Sequence, residues 1–402
     1  MTRKQLIILL VLVAVLGVAG LVLLRREAAS WKAADTAAGR KLLPDFPVND
    51  VAHLLIRQGT NELNLVKQDD LWRVRQRGGY PADYAKISEA LIKISELKIV
   101  QTEQVGPSQL GRLELLPPGP GSNTATLVEF RDKNDKVISG LLLGKKQMRN
   151  ASGRSAMEDF GEPGWPVGRF VAVAGTTGTV AVLSDTLANL EPKPEQWLNK
   201  NFFKVEKPRM VSVTYAEATN SWTLSRETET GEWKLADARA DEKLDNAKAT
   251  SATGGLGWPS FLDVLPADTP LARVGLDQPT VATIKTFDDF TYTLKIGAKT
   301  NDSYHLTVTV TADIPKERSP GKDEKPEDKE RLDKEFKDRV AKLEDKLAQE
   351  KKLGGWIYRV STWTFDSLLK KRVELLAEKK DEPKPAGAGQ AQNTGQPDAQ
   401  KN

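Results

Sequence analysis

The chain has 402 residues, of which 39% are hydrophobic and 28% charged, which is enough for two or three ordinary globular domains. Its 59 basic and 55 acidic residues nearly balance, so we expect no nucleic-acid partner. The sequence has no cysteine, which excludes disulfides, thiolate metal sites and a cysteine nucleophile, and its two histidines leave few routes to metal or triad chemistry.

An apolar run over residues 5–24 lies between short basic segments. About twenty helical residues span the hydrocarbon layer of a bilayer. We therefore predict a single-span membrane anchor within residues 1–26; a cleaved signal peptide is the alternative. Lysine and arginine counting would leave the bulk of the chain in the cytoplasm, but long domains translocate largely regardless of charge. We expect the bulk of the chain to lie outside the cytoplasm.

A linker over 27–41 leads to a first α+β module, predicted over 42–200. Short apolar runs separated by turn residues predict an antiparallel meander followed by two hairpins. Asp83 suits the N-cap of a helix at 84–97, whose apolar residues recur at helical spacing. The predicted strands cover 51–56, 62–66, 71–74, 126–130, 137–143, 170–174 and 179–183, and a short helix is predicted at 185–190.

A second module, predicted over 201–377, repeats this order. Four pairs of matching positions are each 160 or 161 residues apart: Leu42 and Phe202, Val51 and Val211, Trp72 and Trp233, Pro118 and Pro279. Such a constant spacing predicts two copies of one module. The predicted fold class is thus α+β, with two tandem repeats of a mostly antiparallel β-sheet module with packing helices, plus one N-terminal transmembrane helix.

The two copies differ at two places. Gly254, Gly255 and Gly257 interrupt the region that matches helix 84–97, because glycine disfavours helix interiors. The second copy should close with a helix at 365–376, and it also contains a charged insertion over 314–353, with a predicted helix at 327–352.

The insertion helix carries one narrow apolar seam, formed by Leu332, Phe336, Val340, Leu343 and Leu347. Either the helix folds back onto its own module, or the seam is an interface for a partner protein. After the second module, the composition of residues 378–402 predicts a disordered tail.

No phosphate-cradling loop, dinucleotide fingerprint or serine-nucleophile elbow occurs in the sequence. We therefore predict no catalytic, cofactor-binding or metal site. His53 and His305 fall in strand patterns, and the acidic pairs Asp69-Asp70 and Asp288-Asp289 fall in turns, which aspartate favours. Trp72 and Trp233 are expected in the core. The tryptophans that are candidates for a ligand surface are Trp165, Trp258, Trp356 and Trp363.

Several motifs in a fixed order resemble the bacterial family known as domain of unknown function 4340, over roughly residues 40–377. The motifs are the basic start with its single span, Asp70-Leu-Trp72-Arg-Val74, Gly231-Glu-Trp233-Lys-Leu235, Leu115-Leu-Pro-Pro118, Gly275-Leu-Asp-Gln-Pro279, Leu141-Leu-Leu-Gly144, Leu294-Lys-Ile-Gly297 and Trp197-Leu-Asn-Lys200-Asn-Phe-Phe203.

The resemblance implies a tethered, extracytoplasmic protein of the bacterial inner (cytoplasmic) membrane, commonly encoded beside an ABC-type transporter. It implies partners among the membrane proteins of that transporter, and it implies no known activity or catalytic residue. The leading hypothesis is a non-enzymatic accessory or scaffold protein. The second is a surface glycan- or peptide-binding module, and the third is a hydrolase with a site between the repeats.

Overall fold

The computed structural model describes residues 37–149, 165–266, 268–321 and 324–378. Over these ranges the chain is a mixed α and β protein with two antiparallel sheets and few helices. No helix within them is long and apolar enough to cross a membrane. The predicted anchor and the predicted tail from residue 379 onwards lie outside the described residues.

The first sheet contains nine strands. They are β1 His53–Gln58, β2 Asn61–Gln68, β3 Leu71–Val74, β4 Tyr80–Pro81, β5 Ile99–Gln104, β6 Thr126–Arg131, β7 Val137–Arg149, β8 Trp165–Val173 and β9 Thr179–Leu183. Across the sheet they lie in the order β4-β3-β2-β1-β6-β7-β8-β9-β5. The predicted meander and both predicted hairpins are present in this sheet.

The second sheet contains eight strands. They are β10 Pro208–Thr214, β11 Trp222–Ser225, β12 Lys234–Leu235, β13 Asp263–Leu265, β14 Thr280–Thr286, β15 Phe290–Ile296, β16 Ser303–Ala312 and β17 Ile357–Ser361. Their order is β12-β11-β10-β14-β15-β16-β17-β13. Apart from the two-residue edge strand β4, the two sheets therefore have the same strand order.

The α-helices within the described residues are α1 Tyr84–Glu96, α2 Asn246–Gly254, α3 Lys329–Lys351 and α4 Thr362–Phe365. Helix α1 confirms the prediction for 84–97, and its N-cap Asp83 accepts a hydrogen bond from the Lys86 amide. Helices α1 and α2 each carry the chain from one edge of a sheet to the strand at the opposite edge, β5 or β13.

Two predicted helices are wrong. At 185–190 the Asp185 carboxylate accepts from the Leu187 amide, and Leu187 has a φ of 48°, so the chain turns instead of continuing as a helix. At 365–376 only α4 and a short 3-10 turn form. There the carbonyls of Leu369 and Lys370 accept from the side chains of Tyr215 and Trp222, so they are not used in a helix.

The strand register corrects one of the matched pairs. Val211 lies opposite Leu224, as Leu54 lies opposite Leu65. Val211 therefore occupies the position of Leu54 and not, as the constant spacing predicts, that of Val51. The turn between β10 and β11 is longer than the turn between β1 and β2, so the spacing along the chain does not measure equivalence in the sheet. Trp72 and Trp233 both lie in the core, as predicted.

One hydrophobic core runs through both halves. At their junction the Tyr80 ring packs edge-on against Phe261 and Trp356, with centroids 5.9 and 5.1 Å apart. The Arg77 guanidinium binds the Asp263 carboxylate through two hydrogen bonds of 2.7 and 2.9 Å. These contacts fill the space between the halves and hold them against each other.

Candidate interaction surface

The five seam residues of the insertion helix are all half-buried, but they divide into two groups. Leu343 and Leu347 pack against the core of the second half. Leu332, Phe336 and Val340, on the N-terminal half of α3, are not part of that packing. The helix thus folds back onto its own half at its C-terminal end, and the other three seam residues, also half-buried, lie outside the core cluster.

A buried carboxylate fixes this C-terminal end. Glu350 is 7% exposed, and its two oxygens accept from the Lys204 amide at 3.0 Å and from the Tyr292 hydroxyl at 2.9 Å. Burial raises the pKa of Glu350, and burial together with this carboxylate raises the pKa of Tyr292. One turn earlier, the Lys346 ammonium donates to the Lys204 carbonyl at 2.9 Å. Helix α3 is therefore tied to the segment around Lys204.

The glycine-rich region is helical at its start, which the sequence prediction missed. Helix α2 is capped by Asp245, as α1 is capped by Asp83, and it ends at Gly254, where a 3-10 turn over Gly255–Gly257 takes over. Both helices have four buried positions at the same spacing. These positions are Ile87, Ala90, Leu91 and Ile94 in α1, and Ala249, Ala252, Thr253 and Leu256 in α2 and the turn that follows it.

Two of these positions carry smaller side chains in the second half, Ala249 for Ile87 and Thr253 for Leu91. A cavity of about 510 Å³ lies beside this helix face. The Arg226 guanidinium stands 4.7 Å from the centre of the Trp233 ring in its wall. The other lining residues are Val205, Pro208, Thr230, Gly231, Glu232, Asn246, Thr250, Thr253, Gly254 and Gly257.

A second depression, of about 610 Å³, adjoins this cavity at Val205 and Gly257. Its floor is the segment 204–207, one wall is Trp258, and the other is helix α3. We call this depression the Trp258 groove; its residues are Lys204, Val205, Glu206, Lys207, Gly257, Trp258, Asp288, Arg339, Lys342 and Leu343. It brings the seam residue Leu343 together with the end of the glycine-rich turn.

The charges of the groove are arranged around two carboxylates. Glu206 binds the ammonium groups of Lys204 and Lys346, both at 2.8 Å, and these two lysines, Lys204 first, lower its pKa to about 2. Asp288 binds Arg339 at 2.6 Å. Lys342 has no acidic partner in the part of the chain that the structure describes. Four basic and two acidic side chains line the groove, so it is net positive.

A family model described as "Domain of unknown function (DUF4340)" matches residues 72–279, more than half of the chain. The chain belongs to the DUF4340 family. No curated protein and no solved structure matches it. The match begins at Trp72 and ends at Pro279, so it includes Trp258 and the floor of the groove, whereas helix α3 lies beyond it.

The tryptophans of this DUF4340 protein divide clearly by exposure. Trp258 is 82% exposed, Trp363 is 88% exposed and Trp165 is 54% exposed, whereas Trp356 packs on Tyr80 at the junction of the halves. The Lys204 ammonium lies 3.9 Å above the centre of the Trp258 ring, which is a cation–π contact. Three of the four candidate tryptophans are therefore on the surface, and Trp258 is part of a shaped groove.

The two histidines of the DUF4340 protein lie in strands, as predicted. His53 is buried between Asp135, 2.7 Å from Nδ1, and Asn64, 2.8 Å from Nε2. His305 has a buried Nδ1 without a partner among the described groups, and burial, followed by the charge of Arg359, lowers its pKa. Over the described ranges, no three His, Asp or Glu side chains are grouped so that they could hold a metal ion.

The acidic pairs lie in turns, as predicted. Asp69 and Asp70 join β2 to β3, and Asp288 and Asp289 join β14 to β15. Three of these four aspartates have positive φ angles of 48°, 61° and 59°, a conformation that aspartate tolerates in turns. Their placement follows from turn chemistry.

The floor of the groove is the part that sequence reasoning missed. Segment 204–207 has neither a strong strand pattern nor a motif, and it lies within the predicted second module without a predicted element of its own. The structure gives Lys207, directly before Pro208, a φ of 48°, a conformation that the sequence does not reveal. The other residues of the groove come from three distant segments, 257–258, Asp288 and 339–343, and no local pattern brings them together.

Proposed function

We propose that this protein is a membrane-anchored, extracytoplasmic accessory or scaffold protein without catalytic activity, serving an ABC-type transport system of the bacterial inner membrane. The observation that carries the proposal is the division of helix α3. Its C-terminal end is bound to the core, whereas the half-buried Leu332, Phe336 and Val340 continue the apolar row along the helix outside that core cluster. An amphipathic helix can bind a partner protein through such a row of apolar residues.

The span over residues 5–24 supports the membrane part of this proposal. We further infer that the halves 42–200 and 201–377 are copies of one module. The common strand order and the four matched buried positions of α1 and α2 support this inference. The contacts of Arg77 and Tyr80 at the junction join the two copies into one unit. One rigid unit suits a scaffold better than it suits a pair of independent binding modules.

Affinity purification of the full-length protein from detergent-solubilised bacterial membranes tests the proposal. We expect transporter subunits to be recovered with the wild type and lost with Phe336→Ala. The matched control is Lys337→Ala, which changes an exposed neighbour on the same helix and should leave recovery unchanged. If the wild type recovers no transporter subunit, the accessory role is wrong.

The exposed tryptophans favour a second candidate function, a surface module for glycan or peptide. Trp258 and Trp363 each present a large aromatic face to solvent, which suits stacking on sugar rings or on peptide side chains. Titration with oligosaccharides and peptides, monitored by tryptophan fluorescence, distinguishes the ligand classes. Quenching that survives in both Trp258→Ala and Trp363→Ala would argue against this function. The third hypothesis, a hydrolase, has no similar support, because aromatic side chains fill the space between the halves.

A further inference from the structure

The extended backbone of residues 204–206 has one open peptide unit, at Glu206, inside the Trp258 groove; the φ of 48° at Lys207 ends the extended conformation. The Lys204 amide donates to Glu350 on helix α3, whereas the Val205 amide donates to the Leu256 carbonyl on the other side. Successive amides that point to opposite sides are characteristic of an extended strand. The amide and carbonyl of Glu206 therefore point to the α3 side, as those of Lys204 do.

The peptide groups of Lys204 are occupied, and those of Glu206 are open. The Lys204 carbonyl accepts from Tyr292 and Lys346. Among the described residues, neither the Glu206 amide nor its carbonyl has a hydrogen-bond partner. At Glu350 the helix touches the segment, whereas at Lys342 a depression separates the two. The open peptide unit of Glu206 thus faces helix α3 across this depression, and Trp258 lines the same groove.

We propose that the Trp258 groove binds an extended, acidic peptide segment of a partner protein, which pairs with the backbone of Glu206. An extended segment with an unpaired peptide group can pair with a further strand, and pockets beside it select the side chains of the added strand; Glu206 supplies that peptide group here. The net positive lining, with Lys342 lacking an acidic partner, selects carboxylate side chains. Trp258, in cation–π contact with Lys204, supplies an apolar face for the intervening side chain.

This inference rests on the proposed function, because it names the chemistry of the partner that an accessory protein would bind. It adds a second contact to the apolar row of helix α3. Leu343 belongs both to the seam and to the groove, so a partner segment in the groove would continue along the helix towards Val340.

Fluorescence anisotropy with the full-length protein in detergent micelles tests the inference. The probes are labelled peptides of about eight residues that alternate glutamate with valine, the same peptide with lysine in place of glutamate, and the acidic peptide with N-methylated central amides. We expect the acidic peptide to bind at least tenfold more tightly than the other two. Equal binding of all three would overturn the inference.

Two pairs of variants locate the site. We expect Trp258→Ala and Lys342→Glu each to weaken the acidic peptide about tenfold or more. The matched controls are Trp363→Ala, an equally exposed tryptophan, and Lys337→Glu, an exposed lysine of the same helix, neither of which lines the groove. Unchanged affinity in Trp258→Ala and Lys342→Glu, with thermal midpoints equal to that of the wild type, would overturn the assignment to the groove.

Other occupants give distinct results. Binding to phosphatidylglycerol vesicles that Trp258→Ala abolishes, without acidic peptide binding, would show a membrane surface in the groove and overturn the proposal. A concentration-dependent dimer that dissociates in Lys342→Glu would show that a second copy of the chain occupies the groove. That result would also overturn the proposal. If Trp258→Ala still recovers transporter subunits from membranes, the assignment of partner binding to the groove is wrong, while the accessory role stands. If the wild type recovers none, the accessory role itself fails.

Discussion

The pair Arg77–Asp263 should stabilise the junction between the halves measurably. Its two charge-assisted hydrogen bonds, at 2.7 and 2.9 Å, are short. The side chains are only 21% and 12% exposed, so solvent screens the pair less than it screens a surface salt bridge. Hydrogen bonds to charged groups contribute roughly 1.5–3 kcal/mol each to the free energy of unfolding. We reduce this value because both side chains remain partly exposed to solvent. We expect Arg77→Ala to lower the free energy of unfolding by about 2–3 kcal/mol.

A double-mutant cycle with Asp263→Asn isolates the pair. The asparagine keeps an oxygen for the Val264 amide, which donates to the carboxylate at 2.8 Å. Urea unfolding of the full-length protein in detergent, followed by tryptophan fluorescence, gives the four free energies. We expect a coupling energy of about 1–2 kcal/mol. It is smaller than the loss of stability in either single variant, because part of that loss comes from the partner side chain that is left unpaired. A coupling energy under about 0.5 kcal/mol would refute the reasoning and place the pair with ordinary surface ion pairs.

Three further outcomes are expected. Glu350→Ala should lower the free energy of unfolding by about 2–4 kcal/mol, because two hydrogen bonds to a carboxylate are lost. It should also raise the rate of amide hydrogen exchange in the C-terminal half of α3, and an unchanged rate would contradict the anchoring role. Thr253→Leu places at this position the residue type that Leu91 has in the first half. It should raise the free energy of unfolding, measured in urea titrations, by about 1 kcal/mol through burial of apolar surface. A loss of stability would show that the cavity does not accommodate the leucine side chain. Arg372 lowers the pKa of Glu242 from 4.5 to about 2, so wild-type stability should fall as pH decreases from 4.5 towards 2, and Glu242→Gln should reduce this dependence in urea midpoints at pH 5 and 3.

Local patterns predicted most of the secondary structure, because strands and helices are encoded by the period of their apolar residues. Asp83 begins its helix as predicted, and the turns at Asp69-Asp70 and Asp288-Asp289 lie between strands as predicted. The failures have non-local causes. The carbonyls of Leu369 and Lys370 are bound by side chains more than a hundred residues away in sequence, which no local pattern shows.

The sequence by itself determined the repeated order of elements, the family, and the apolar spacing of helix α3. These properties depend on residues that are near each other in the chain or that recur at a regular spacing. It did not determine the equivalence of Val211 with Leu54, because hydrogen-bond register depends on turn lengths and on both neighbouring strands.

Only the tertiary structure decided where a partner could bind. Helix α3 packs on the core at one end because Glu350 finds the Lys204 amide and the Tyr292 hydroxyl there, which lie in segments far from it in the chain. The same packing leaves the Trp258 groove open about two turns nearer the N-terminus of the helix, at Lys342 and Leu343. Four segments distant in sequence form this groove, and its shape and charge exist only once they are packed together.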